Sequence, residues 1–316
     1  YAVTLKIATI SPEGTNWMTE LHNGAAEIDK RTAGRVKMRF YPGGVMGNDN
    51  SVLRKIRIHQ LQGGALTGGG LQTIYPDSQV YSVPFMFRNL DEVDYVRTRM
   101  DKLILDGLHQ RGFVSFGLGE GGFAYLMSSE PIHTVEDLKD RKVWVPQGDR
   151  ISRTFFEAAG VSPVPLQLPD VLTGLQTGLI DTVGISPIGA IALQWHTRVK
   201  YVTDLPLMYL YGILVIDRRA FERARPQDRA VVREVMEAVF RRLNKSDRIE
   251  NEHARQALIE QGIKFIHSDQ SDPQYWNSLE TTALKKIVQN EILSQEILDQ
   301  LQANLDEYRK THVPKP

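Results

Sequence analysis

Apolar positions in the first forty residues switch between two spacings. Leu5-Lys6-Ile7-Ala8-Thr9-Ile10 reads as a strand, while Trp17, Leu21, Ala25 and Ile28 recur on one face of a helix running from about Asn16 to Arg31. Gly34 closes that helix, as glycine does just past a helix end. Val36 to Phe40 alternates as a second strand, which Tyr41-Pro42-Gly43-Gly44 interrupts. A helix near Asp49 to Gln60, a glycine-rich stretch from Gly63 to Gly70, a helix near Asp91 to Gln110 and a strand from Phe113 to Phe116 follow. Alternation of this kind predicts an α/β fold with mostly parallel sheets, whose ligand crevices lie at the carboxyl ends of the strands.

A second, similar unit begins near Phe123. Thr134 with Asp137 three residues on resembles a capping box. Lys142 to Val145 reads as a strand, Asp149 to Ala159 and Val171 to Thr177 as helices, and Tyr209 to Ile216 as an apolar strand long enough to pass between domains. From Pro226 to Gln261 no further proline or glycine intervenes before Gly262, which predicts one long helix. Two helices broken near Asn244-Lys245-Ser246-Asp247 are the alternative. Pro273 to His312 is again helical and needs a partner surface.

Composition narrows the possibilities. A chain of 316 residues suits two domains. Thirty-eight basic residues balance thirty-eight acidic ones, so no strong field steers nucleic acid and no nucleic-acid partner is expected. The chain has no cysteine, which excludes thiolate catalysis and Cys-ligated zinc and suits an exported protein. No apolar run reaches the ~20 residues of a membrane span. Tyr1 to Lys6 reads as a strand and not as a leader, so the chain is either cytoplasmic or a targeting segment was removed before residue 1.

The chemical motifs point away from catalysis. Gly117-Leu118-Gly119-Glu120-Gly121-Gly122 fits GxGxxG, but Phe123 to Met127 reads as a strand where a dinucleotide site needs a helix, so a flexible crossover is expected instead. Gly68-Gly69-Gly70 lacks the Lys-Ser/Thr of a phosphate loop and suits close approach of a ligand to the backbone. Around Ser186 the second glycine is misplaced for a nucleophile elbow. Eight histidines form no HExxH motif. No catalytic residue, cofactor or metal site is expected.

Several motifs, in order, carry a family resemblance. They are Tyr41 to Asp49, Tyr75-Pro76 with Val83-Pro84-Phe85, Asp137 to Pro146, and Leu175-Gln176-Thr177-Gly178-Leu179-Ile180-Asp181. Along nearly its whole length the chain resembles the substrate-binding subunits of TRAP transporters, the DctP-like family. The resemblance implies a two-lobe periplasmic solute-binding fold with hinge strands and a long helix bracing both lobes. The expected lobes are residues 1–123 with 212–252, and 124–211 with 253–316. It also implies a small organic ligand taken up between the lobes, integral membrane permease subunits as partners, a monomer, and a periplasmic location with the leader removed.

One position departs from the family pattern. Where most members carry an arginine that grips the ligand carboxylate, this chain has Trp144, with an apolar face and a single N–H donor. Thr67, Gly68 and Gly70 stand where sialic-acid-type members carry charged or polar groups, Ala124 replaces another arginine, and Leu168 and Ile185 are expected to line the crevice. These changes imply a ligand less anionic and more apolar than the usual acid, aromatic or lipid-like. The opposing reading supplies the cation from elsewhere, with Arg150 near a helix start ahead of Arg141 and Lys142. Glu120, Phe123, Gln147, Ser186, Trp195, Tyr209 and Tyr211 complete the expected ligand contacts. Two rivals stand beside this reading: a two-domain cleft enzyme using Glu120 and a histidine, and a lipid-handling protein with a widened crevice.

Overall fold

Capping side chains set where the elements begin. The structure, a computed structural model, describes residues 2–267 and 273–312; Tyr1, where the strand reading opens, lies outside the described residues. In chain order the first third holds β1 (Val3–Thr9), α1 (Asn16–Arg31), β2 (Val36–Tyr41), α2 (Asp49–Arg57), β3 (Gly63–Thr67), α3 (Leu90–Gln110) and β4 (Phe113–Val114). The middle holds β5 (Leu118–Ser128), α4 (Val135–Lys139), β6 (Trp144–Pro146), α5 (Arg150–Ala158), β7 (Val164–Leu166), α6 (Val171–Thr177), β8 (Thr182–Ile185), α7 (Pro187–Ala192) and β9 (Tyr201–Thr203). The remainder is β10 (Met208–Asp217), α8 (Arg218–Glu222), α9 (Pro226–Glu260), β11 (Lys264–Ile266), α10 (Pro273–Gln289) and α11 (Gln295–Thr311). Thr15, Asn48 and Ser294 each accept a backbone N–H of the first turn they precede, satisfying donors a helix start leaves open. At Thr134 both bonds of the capping box are present, with Asp137 as the reciprocal partner.

The chain divides into two compact units, each built from several segments. The first comprises the residues up to Tyr75, Asp101–Gly121 and Tyr211–Ile249; the second comprises Pro76–Met100, Gly122–Leu210 and the residues from Glu250 on. Residues 76–100, given to the first lobe by the sequence reading, belong to the second unit.

In the first unit β2, β1 and β3 run parallel, and β10 lies antiparallel on β3 with Gly212 opposite Thr67. One face of these strands is covered by α1 and by the first part of α9: Leu5, Ile7, Met18, Leu21, Ile28, Val235, Met236 and Phe240 share one core. Gly24 in α1 permits this approach, since a Cβ there would stand 2.8 Å from Val239.

In the second unit β5 carries β8 and β9 as antiparallel neighbours, β11 adds to β9 in parallel, and β6 and β7 form a separate parallel pair. Two cores fill it. One gathers Leu126, Leu138, Val145, Phe155, Phe156 and Ala283, the other Met127, Trp144, Val183, Trp195, Val202 and Leu258.

Helix α9 runs unbroken for 35 residues, about 52 Å at 1.5 Å per residue. The polar stretch that suggested a break is occupied in other ways. The Asn244 Oδ1 accepts the Glu120 N–H at 2.7 Å, and Ser246 accepts the Asn16 amide at 2.8 Å while its hydroxyl donates to the Arg242 carbonyl. The GxGxxG stretch also differs from expectation. Residues from Leu118 onward lie inside β5, and the chain passes from the first unit to the second at Gly121–Gly122, so the crossover is made by a strand and not by a flexible segment.

Candidate functional site

The carboxyl ends of the three parallel strands in the first unit are where a crevice is expected, and the connections there are tied together. After β1, the Thr9 carbonyl accepts the Gly44 N–H at 3.0 Å and the Ser11 carbonyl accepts that of Gly43 at 2.8 Å, so the Pro42–Gly47 turn is folded back onto β1. The turn delivers Asn48 to cap α2, and Asp49 becomes the first residue of that helix. One oxygen of Asp49, Oδ2, accepts both the Thr67 N–H at 3.0 Å and the Thr67 hydroxyl at 2.7 Å. The Thr67 oxygen in turn accepts the Gly70 N–H at 3.1 Å.

Glycine is required at two places in this turn. A side chain at Gly70 would collide with the Asp49 carboxylate, and one at Gly68 would stand 2.8 Å from the Tyr211 ring. The Gly68 N–H also donates to the Tyr211 carbonyl at 3.1 Å. Thr67, Gly68 and Tyr211, three residues expected at the site, are therefore neighbours, with Asp49 as their unforeseen companion.

Asp49 is only 9% exposed, and its second oxygen, Oδ1, is buried with no hydrogen-bond partner among the described residues. Burial pushes its carboxyl above the ordinary carboxylate range, opposed by the two Thr67 bonds. An unsatisfied buried acceptor costs about 1–3 kcal/mol, so few are kept in folded proteins.

Glu120, another expected contact, is held by an ion pair. It is 1% exposed and is gripped by Arg248 through two bonds of 2.8 Å, which fastens β5 to α9.

In the second unit Trp144 and Trp195 meet edge to face, with ring centroids 5.1 Å apart. Trp144 is 5% exposed, and its indole N–H donates to the Leu166 carbonyl at 3.0 Å. That carbonyl also accepts the N–H of Gln147, whose side chain is exposed. Phe123 and Tyr209 form a second group with Tyr81 and Phe87, and Arg97 donates to the Tyr209 hydroxyl at 2.9 Å. Leu168 is half-buried in a turn after β7, and the Ser186 hydroxyl caps α7 by accepting the Gly189 N–H. Each cation proposed to replace the missing arginine has a protein partner. Arg150 donates to the Asn290 carbonyl at 2.9 Å, Lys142 to the Gly178 carbonyl at 2.9 Å, and Arg141 lies 4.0 Å from Asp181.

The architecture is that of TRAP periplasmic solute-binding proteins. It superposes on one from Shewanella oneidensis with bound succinate at a TM-score of 0.88 (18% identity, 96% of this chain and all of the other). A Chromohalobacter salexigens protein of the same kind, with bound D-glucuronate, gives 0.87 (19% identity, 96% of this chain and 99% of the other). The family described as bacterial extracellular solute-binding protein, family 7 (DctP), matches residues 7–291, and the chain belongs to it. Among curated relatives, the C4-dicarboxylate-binding periplasmic protein DctP of Rhodobacter capsulatus is 24% identical over 254 residues, 77% of this chain and 75% of that protein. Members bind small organic molecules and work with membrane permease components; they are not enzymes, and neither is this protein. No helix among the described residues is long and apolar enough to cross a membrane.

Proposed function

We propose that this protein works in the periplasm, where it captures a small organic molecule carrying less negative charge than the uronates and dicarboxylates bound by its structural neighbours, and delivers it to the permease subunits of a TRAP-type transporter. The observation that carries this reading is the state of the position where the family resemblance expects a guanidinium. Trp144 brings no charge there, its one donor is used on Leu166, and its ring is set against Trp195.

Arg141, Lys142 and Arg150 have partners of their own, which weakens the case for a relocated cation. A carboxylate withdrawn from water without a cation loses its hydration with no matching gain, whereas a neutral or apolar group does not. The residues proposed to meet the ligand in the first unit are Thr67, Gly68 and Tyr211, which surround the turn after β3.

Isolating the protein from its native host and identifying the co-bound small molecule by mass spectrometry tests the reading. A neutral or largely apolar molecule is expected. A dicarboxylate or uronate held at stoichiometric occupancy would overturn it.

A further inference from the structure

We propose that the open face of the β1–β2 pair, in the first unit, is a docking surface for an anionic phospholipid bilayer. The proposal concerns where the protein is held and not what it captures, so it stands apart from the ligand reading above.

Strand register builds the surface. Leu5, Ile7, Val36 and Met38 turn to the core under α1 and α9, so the alternate positions of the same strands turn to the other face. There Lys6 stands directly opposite Arg39 across the parallel pair, and Lys37 lies two residues before Arg39 on the same side. Helix α2 covers the β3 side of this face. Its Val52 sits over Gly64, 2.8 Å from where a Cβ would be, and Gly64 is paired with Ala8, two residues on from Lys6. Lys6, Lys37 and Arg39 are left exposed. The chain returning from α2 is tied to the same place, since the Gln62 side chain accepts the Lys6 N–H at 3.0 Å. Just before it Arg57 and Ile58 are exposed, Ile58 at 63%.

Charge then selects the partner. The whole chain is balanced, yet residues 32–76 hold six lysines and arginines against one acid, Asp49, which is buried and bonded to Thr67 at the carboxyl ends of the strands. Like charges directly opposite on neighbouring strands repel. The side chains of Lys6, Lys37, Arg39 and Arg57 have no hydrogen-bond or ion-pair partner among the described residues, so nothing in the described fold offsets that repulsion. Cations on an edge strand guard against edge-to-edge pairing, which accounts for Lys37 and Arg39 but not for Lys6, because β1 is flanked by both β2 and β3. Adjacent strands set their cations about 5 Å apart in a shallow plane, which suits a layer of lipid phosphates, and the exposed Ile58 adds an apolar contact beside them. Family members work with membrane permease components, so a bilayer is the partner surface at hand.

The test is co-sedimentation of the full chain with unilamellar vesicles, made either of phosphatidylcholine alone or of phosphatidylcholine with phosphatidylglycerol. Binding is expected to the anionic vesicles only, and to weaken as salt rises from about 0.05 M to about 0.3 M. Each cation near an anionic surface contributes about fivefold to partitioning, so Lys6→Gln, Lys37→Gln and Arg39→Gln combined are expected to cost about a hundredfold. Removing three exposed lysines of the second unit in the same way (Lys285, Lys286 and Lys310) is expected to change binding by less than about twofold. The first triple variant should melt no lower than the wild type, because it removes a repulsive pair. Equal binding to both kinds of vesicle, binding to neither, or equal losses in the two triple variants each overturns the proposal. So does a fall in melting temperature of about 5 °C or more in the first variant, which would make the row of cations structural. Retention on immobilised polyglutamate without binding to anionic vesicles would assign the face to an acidic protein and overturn the lipid assignment.

Discussion

Replacing Trp144 separates two roles that one indole could have, a core residue and a ligand platform. In Trp144→Phe the ring still fills most of the space against Trp195, and the lost bond is the one from the indole N–H to the Leu166 carbonyl. That carbonyl keeps the Gln147 N–H, so it is not left unsatisfied, and the cost falls at the low end of the usual range, about 0.5–1 kcal/mol. In Trp144→Ala the side chain is removed from a site only 5% exposed, within the core that also holds Val171, Leu175, Ile180 and Val183. Truncations of this kind cost about 3–5 kcal/mol. At roughly 2–4 °C per kcal/mol for a unit of 150–250 residues, phenylalanine should lower the melting temperature by about 1–4 °C and alanine by about 6 °C or more. Thermal unfolding followed by circular dichroism, beside titration with the co-purified ligand, checks both effects. If phenylalanine leaves melting unchanged yet weakens the ligand tenfold, the indole meets the ligand directly and its assignment to the core is wrong.

Other predictions follow from the same contacts. Glu120→Ala leaves Arg248 without its acid and the β5–α9 junction unfastened; a loss of about 3 kcal/mol is expected, and a double-mutant cycle with Arg248→Met should show the two losses to be non-additive, whereas full additivity would mean the pair contributes nothing. Gly70→Ala forces a methyl group into the Asp49 carboxylate, so chemical denaturation should show a destabilised first unit, and a neutral result would mean that the turn relaxes freely. The Asp49 carboxyl is raised in the folded state, so its contribution to stability is fully present below the unfolded value of about 3.9 and is lost as pH rises through the folded value. Asp49→Asn should therefore gain stability on the wild type as pH climbs from about 4; parallel pH profiles would contradict the assignment.

Much of the fold was legible because its signals are local. The bounds of α1 read from Trp17, Leu21, Ala25 and Ile28 match the structure at both ends, and the Thr134–Asp137 spacing marked a capping box that is present. The one long helix read from Pro226 to Gln261 is present, and what the sequence could not show is why the alternative break fails: Asn244 and Ser246 are used by Glu120 and Asn16, more than a hundred positions away. The glycines of β5 read as a crossover, and the chain does pass between units at Gly121–Gly122; what the sequence hid is that a strand makes the passage, because strand structure leaves little trace in a glycine-rich stretch.

At the candidate site, the replacement of an arginine by Trp144 was visible as a residue type, but its bond to Leu166, 22 positions on, was not. Asp49 was overlooked because an acid in the first turn of a helix is ordinarily explained by the helix itself. Its tie to Thr67, 18 positions later, emerges only once β2 and β3 flank β1.

The interleaving of the two units has a consequence for synthesis and for engineering. The chain passes between them five times, so the first unit lacks part of its core until Tyr211–Ile249 has been made, and the second until the C-terminal helices have been made. Neither can be cut out as one fragment, and a nascent chain has no complete half to rest on. Grafting ligand preference from a relative is therefore simplest by replacing side chains in place, because exchanging either unit whole means exchanging three separate segments at once.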